Sequence, residues 1–305
     1  MLSSPWGDLP VSDAHVHFFS HGFLSGLAGQ KGGLAPSEAA RLLEWQAPPE
    51  DPGELGEIWA RELDRHGVSR AVLIASLPGD EASVAAAVAR FPARFRGYFM
   101  LDPTAEGAAA RAAGALAGGR LRGICLFPAM HRYSVHDPRL EPILERAAAH
   151  QGALVFVHCG VLTVGFRKKL GLPSLFDLRF SNPIDLHPIA LRYPKLSFVV
   201  PHFGAGYFRE TLMLCDLCPN VYLDTSSTNS WMRYHPALNL EGVFARALEV
   251  AGPERLLFGT DSSFFPRGWQ RRIFDLQIQA LAGLGVGESA ARAIFSGNLD
   301  RLLGF

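Results

Sequence analysis

The five residues Asp13-Ala14-His15-Val16-His17 place two imidazoles two positions apart. On a strand, residues two apart point to one face, and their Cα atoms lie roughly 6.6 Å from each other, twice the rise per residue. Two imidazoles so spaced can lean onto one ion at about 2.0–2.1 Å. A single His-x-His specifies little, because chance and surface histidines produce many. Three further residues, His158, His202 and Asp261, each close a later predicted strand. Taken alone, a strand-end histidine is more often a hydrogen-bonded structural residue than a ligand. Taken together, the five groups offer imidazoles and one carboxylate, a donor set that suits zinc with a position left open for water. Zinc lowers the pKa of such a water from about 16 toward about 7, which produces hydroxide without a strong base. Asp261 or His202 would take the proton, and the sequence does not apportion that step.

The elements that must carry these groups alternate along the chain. Predicted strands cover 9–19, 71–74, 95–101, 122–127, 153–158, 196–200, 220–225 and 255–261. The run Ala71-Val72-Leu73-Ile74 is apolar throughout, the pattern of a strand buried on both faces. Helical patterns fall between the strands, at 57–66 before Gly67, then 80–91, 137–150, 183–193, 206–215 and 239–250. Ser37 is expected to cap a short helix over 37–45, and Thr104 an Ala-rich helix running to Gly118-Gly119. Helices over 270–284 and 287–303 finish the chain. Eight strands, each followed by a helix or a helix-bearing excursion, predict an α/β fold. It is the (β/α)8 TIM barrel, here with long loops after strand 1 (20–53) and strand 5 (159–182). A doubly wound sheet would show a Gly-rich turn after its first strand, and none is present. Barrel enzymes place their sites at the C-terminal strand ends, where His15, His17, His158, His202 and Asp261 fall.

Composition sets the outer bounds. The 305 residues are 48% hydrophobic and 19% charged, enough for a sizeable core, and are read as one domain over 1–305. Lys+Arg and Asp+Glu both count 29, so no net charge draws the protein to nucleic acid or an anionic membrane. No basic region followed by an apolar stretch opens the chain, and no apolar segment has the length of a membrane span. Four cysteines form no disulfide framework. The expectation is a soluble cytoplasmic protein.

Four motifs carry a family resemblance: Asp13-Ala14-His15-Val16-His17, Val157-His158-Cys159-Gly160, Pro201-His202-Phe203-Gly204 and Gly259-Thr260-Asp261. In order and content they resemble the signatures of the amidohydrolase superfamily, in its amidohydrolase-related branch. That branch includes metal-dependent hydrolases and aminocarboxymuconate-semialdehyde-decarboxylase-like enzymes. Phe295-Ser296-Gly297-Asn298-Leu299 is similar to the group's closing signature, so the resemblance spans nearly the whole chain. It implies that His15, His17, His158 and Asp261 bind a divalent ion, most often zinc. His202 would stand beside bound water or substrate, as an acid–base or orienting group and a further metal-competent imidazole. One departure stands out. Many relatives carry lysine on strand 4 where this chain has Cys125, and a carboxylated lysine there often bridges two ions. A thiolate is itself a zinc ligand and could bridge. The commoner role of a free cysteine is that of a small buried packing residue. The expected count is therefore one ion or two.

Other residues could touch a small-molecule substrate. His131 and Arg132 follow strand 4, Arg167-Lys168-Lys169 lie in the excursion after strand 5, and Tyr207 and Arg209 follow His202. Trp231 and Arg267 belong to later loops, and Asp224 ends strand 7, where a structural role is as natural as a catalytic one. Solvated loop or packing roles are the plain alternative for all of them. Cys215 and Cys218 form a lone pair best read as helix packing. Three functions follow. The first is a hydrolase of an ester, amide, lactone or C–N bond that uses metal-activated water. The second is a non-oxidative decarboxylase that uses the same ion, and the third is a non-catalytic metal-binding protein. Homodimers are common among barrel enzymes, and no feature of this sequence specifies one.

Overall fold

Parallel pairing of eight apolar strands builds a barrel in this computed structural model, which describes residues 2–226 and 231–305. The strands are β1 (Ser12–Phe18), β2 (Arg70–Ala75), β3 (Phe95–Leu101), β4 (Leu121–Leu126), β5 (Leu154–Val157), β6 (Ser197–Val200), β7 (Val221–Asp224) and β8 (Leu256–Leu257). Each lies beside its neighbour in sequence. The ring closes where Ala14 N–H donates to Phe258 O (2.8 Å) and His17 N–H to Ser262 O (2.7 Å). Eight parallel strands with helices around them are the (β/α)8 fold expected from the alternation.

Alternation along each strand divides the core. Val72, Ile74, Tyr98, Met100, Cys125, Phe156, Val199 and Leu257 pack inside the barrel. Their neighbours Leu73, Phe99, Ile124, Val155 and Phe198 pack outward against the helices. Tyr98 fits inside because β4 carries Gly123: a Cβ there would lie 2.2 Å from the Tyr98 ring. The filled interior leaves only the rim for chemistry.

Several boundaries differ from expectation for local reasons. Leu9 belongs to a short antiparallel hairpin, Leu2–Ser4 with Gly7–Leu9, and β1 starts only at Ser12. The excursion after β1 contains an unexpected helix, His21–Gly29, capped by the Ser20 hydroxyl, which accepts from Phe23 N–H. Its three glycines hid it, because glycine weakens helical propensity. Pro36–Leu43 follows, started by Pro36 after Ala35 and not by a Ser37 cap. Thr104 caps no helix; its hydroxyl donates to Asp102 (2.7 Å), and the helix Ala108–Ala117 starts after Gly107. β8 is only two residues long, because the chain from Phe258 onward bonds across to β1 and then turns at Asp261, whose backbone is left-handed (φ 58°).

Asp13 holds that turn. Its Oδ1 accepts from the N–H groups of His15 (2.9 Å) and Thr260 (3.1 Å), and its Oδ2 from the Thr260 hydroxyl (2.5 Å) and Trp269 Nε1–H (2.7 Å). Burial pushes the carboxyl up to about 6, so these donors are what favour its ionised form. Asp13→Ala leaves buried donors without that acceptor, and each such loss costs about 1–3 kcal/mol. With four such donors, we expect the variant to lose about 4 kcal/mol of stability or more in urea unfolding. A midpoint equal to that of the wild type would refute the clamp.

Candidate metal centre

The β1 pair and the turn after β8 meet at the rim. His15 Nε2 and His17 Nε2 lie 3.3 Å apart. Asp261 Oδ1 is 3.1 Å from His17 Nε2 and 3.6 Å from His15 Nε2. A tetrahedron drawn around zinc with bonds of about 2.0–2.1 Å has edges of about 3.3–3.4 Å. The three observed separations are therefore close to the edges of one coordination shell, and among the described residues these three form a group able to hold an ion.

Hydrogen bonds on the far side of each ring fix which nitrogen faces the ion. Ser76 gives its hydroxyl proton to Ile74 O (3.0 Å), so at 2.7 Å from His17 Nδ1 it accepts. His15 Nδ1 donates to Asp224 Oδ2 at 2.6 Å. His202 Nδ1 lies 3.0 Å from Ser226 O, a carbonyl that can only accept, so that nitrogen carries the proton. When neutral, each of these three rings keeps its lone pair on Nε2. Such outer partners orient metal-binding imidazoles and raise their basicity.

His158 completes the rim from the end of β5. Its ring stacks on Phe127 (centroids 5.4 Å apart), and its centroid is 5.4 Å from that of His202. Its Nδ1 is buried with no hydrogen-bond partner among the described residues, and a metal bond would satisfy such a nitrogen. Burial pushes His158 well down and His202 down, each also repelled by the positive His15, so both favour the neutral form a ligand or base requires. For His15, burial also opposes charge, but Asp224 outweighs it and holds the ring up at about 9. Asp261 resists burial through its bond to His17 and the neighbouring imidazoles, which hold it well below the usual carboxylate range.

Above the rim a cavity of about 780 Å³ contains His15, His17, His158, His202 and Asp261 in its lining. Its aromatic wall comes from both excursions and the turn after β8. Phe19 stacks on Phe23 (4.1 Å) and Trp45 (5.3 Å), Trp45 stacks on Phe264 (4.7 Å), and Phe166 meets the first three edge-on. His131, Arg132, Arg167, Lys169 and Arg267 also line the cavity. Arg132 is braced on Leu175 O and Arg167 on Pro173 O and Gln30. The Arg267 guanidinium lies over the Phe264 ring at 4.5 Å and donates to Ser263 and Asp261 O.

Three expected contacts are placed elsewhere. Trp231 is buried against Phe208 (5.7 Å) and lines no part of the cavity, nor does Tyr207. Arg209 is exposed and pairs with Glu210. Cys125 faces inward as the alternation required, but one layer too deep. It pairs with Phe156, two residues before His158, and Phe127 takes the rim position on its strand. Burial pushes its thiol well above the ordinary range. Sequence reading did not pick out Ser76 and Ser226. Ser76 directly follows β2 and Ser226 lies two residues past the end of β7, as His202 lies two past β6, and the strand-end rule that found the histidines would have found them too.

The chain resembles known proteins along its length. A family model described as amidohydrolase matches residues 12–305. Protein fluG of Emericella nidulans is 35% identical over 90 residues, a match that spans 30% of this chain and only 10% of that protein's length. 5-Carboxyvanillate decarboxylase from Novosphingobium aromaticivorans was solved with manganese and 4-hydroxy-3-methoxy-5-nitrobenzoic acid. It is similar over 100% of both chains, with a TM-score of 0.67 at 14% identity. A probable 2-pyrone-4,6-dicarboxylic acid hydrolase from Acinetobacter baumannii, with citric acid bound, is similar over 97% of this chain and 100% of its own, with a TM-score of 0.63 at 16% identity. These last two likenesses establish a shared barrel fold.

Ser76 provides a direct test of the ring orientation. Ser76→Ala removes the acceptor of His17 Nδ1–H while leaving all rim donors in place. Loss of such a partner typically costs 10–100-fold in metal affinity, so we expect zinc affinity to fall by about tenfold or more in chelator competition. An unchanged affinity would show that the ring is held by packing alone.

Proposed function

The chain belongs to the amidohydrolase family, and from that premise we propose that it is a metal-dependent hydrolase of a small-molecule ester, amide, lactone or C–N bond. The observation that carries this reading is the set of three donor atoms at coordination-shell separations on the cavity floor. His15, His17, His158 and Asp261 would hold one divalent ion, and zinc fits this mix of imidazole and carboxylate. When bound, such an ion supplies Lewis acidity, polarising a carbonyl and acidifying water.

The chain's own groups divide the remaining work. Asp261 is ionised and can receive the proton of the attacking water at its carboxylate. His202 has its Nδ1 proton committed to Ser226, so Nε2 is the atom at which it accepts a proton and returns it to a leaving group. The aromatic wall excludes water from one side and receives apolar, flat parts of a substrate. Its face-to-face rings favour such groups over flexible polar ones.

One observation favours decarboxylation as a second reading. Arg132, Arg167, Lys169 and Arg267 line the cavity, whereas Asp261 is its only acidic lining residue among those described. That excess of positive charge suits a carboxylated substrate. The decarboxylase likeness reported above adds to this reading.

Product analysis separates the two. Hydrolysis in ¹⁸O-water puts label into the product, whereas decarboxylation releases carbon dioxide and consumes no water. Under either reading, chelation should abolish turnover and zinc or manganese restore it. His202→Ala should lower kcat about 10²–10⁴-fold, the usual contribution of a positioned acid–base group. If His202→Ala and Asp261→Asn left all turnover intact, the roles given to these two residues would fall; if the metal-loaded protein turned over no substrate of either class, it would be a non-catalytic metal binder. Cys125→Ser should leave metal content at one ion per chain, because the thiol lies below the rim. A drop from two ions to one would restore the thiolate bridge.

A further inference from the structure

The two oxygens of Asp224 have different partners. Oδ2 accepts from His15 Nδ1–H at 2.6 Å. Oδ1 accepts from Ser226 N–H at 2.7 Å and from the Ser226 hydroxyl at 2.6 Å. The carboxylate is fully buried and ionised: burial opposes its charge, but the positive His15 beside it holds its pKa below the usual value. Backbone closes over it at Gly259, where a Cβ would come within 2.7 Å of Asp224 Oδ1 and 3.0 Å of His15 Cβ. The pair therefore has little room to rearrange.

We propose that Asp224 is the positioning residue that fixes the tautomer of His15, and that an amide of the same shape would reverse it. A backbone N–H can only donate. In Asp224→Asn the amide oxygen must therefore stay opposite Ser226 N–H, because the alternative sets two donors face to face at 2.7 Å. That leaves the –NH₂ opposite His15 Nδ1. His15 must then accept at Nδ1 and carry its proton on Nε2, the nitrogen 3.3 Å from His17 Nε2 and 3.6 Å from Asp261 Oδ1. The lone pair aimed at the ion is covered.

The cruder change is the milder one. In Asp224→Ala no group that can only donate faces His15 Nδ1, and the Ser226 hydroxyl, 3.2 Å away and released from Asp224, can accept from it. The ring keeps its proton on Nδ1 and its lone pair on Nε2. A purely structural role for Asp224 predicts the opposite order, because the isosteric amide preserves packing and alanine leaves a void.

The affinity part of the test rests on the proposed ion site, and the tautomer part does not. Zinc is titrated into wild type, Asp224→Asn and Asp224→Ala against a competing chelator, with folding of each followed by circular dichroism. Loss of an outer partner typically costs 10–100-fold. We expect about 100-fold weaker binding for Asp224→Asn and about tenfold for Asp224→Ala. In parallel, long-range ¹H–¹⁵N correlation of the metal-free proteins, at a pH above about 9 where the wild-type ring is neutral, should show His15 protonated at Nδ1 alone in wild type and Asp224→Ala. In Asp224→Asn it should be bare at Nδ1 and protonated at Nε2. Binding by the amide variant as tight as by the alanine variant, or an Asp224→Asn ring still protonated at Nδ1, overturns the proposal. So does failure of Asp224→Asn to fold. If only Asp224→Ala fails to fold, the ring protonation in Asp224→Asn decides. If the wild type takes up no zinc, the proposed function falls, and the tautomer measurement still judges Asp224.

Discussion

Closure of the barrel and assembly of the rim depend on the same few hydrogen bonds between β1 and the segment after β8. Ala14 and His17 donate to Phe258 and Ser262, and the Asp13 carboxylate gathers Thr260 and Trp269 between them. A typical hydrogen bond contributes only about 0.5–1.5 kcal/mol net, but a buried donor left unmade costs about 1–3 kcal/mol. The seam is therefore held less by the strength of its bonds than by the penalty for breaking any of them. His15 and His17 sit on one side of it and Asp261 on the other. If the seam opens, the donor triangle is lost with it.

The walls above the rim are joined by forces of unequal size. The excursions after β1 and β5 meet through Lys169 with Glu44, Arg167 with Gln30, Lys31 with Leu170 O, and the stacked rings. The Lys169–Glu44 pair is 56% and 83% exposed, and pairs of that kind contribute about 0–1 kcal/mol. Each aromatic contact adds roughly 0.5–1.5 kcal/mol beyond the area it buries. Phe166 makes three such contacts at once, so the apolar cluster sets the position of the wall and the charges trim its outer edge.

Much of this was legible in the sequence where a local rule determines the outcome. β3 spans the residues that its apolar run predicts, and the strand-end rule places His15, His17, His158, His202 and Asp261 around one cavity. Properties that depend on how strands align against one another were not legible. The alternation gave the inward direction of Cys125, but its depth follows from pairing with Phe156, a register between two strands. Trp231 carries the residue type of a pocket wall, yet its ring packs against Phe208, the first residue of the helix Phe208–Leu217. The helix His21–Gly29 was hidden for a different reason. Tertiary packing of Phe23, Leu24 and Leu27 outweighs the poor propensity of its glycines.

Three of the four imidazoles at the rim are oriented by a strand other than their own. Ser76 after β2 holds His17, Asp224 on β7 holds His15, and Ser226 beyond β7 holds His202. The site thus exists only in the closed ring, which explains why its residues are scattered from position 13 to position 261. Charge makes the same demand from another direction. Asp224, fully buried, and Asp261, half-buried, flank His15, both ionised. A carboxylate as buried as Asp224 without a cation beside it would cost several kcal/mol. The elevation of His15 to about 9, against the pull of burial, expresses that demand. A proton on His15 Nε2 meets it in one way. A divalent ion at the same lone pair would meet it with twice the charge, where among the described residues three donor atoms already stand at the separations of one coordination shell.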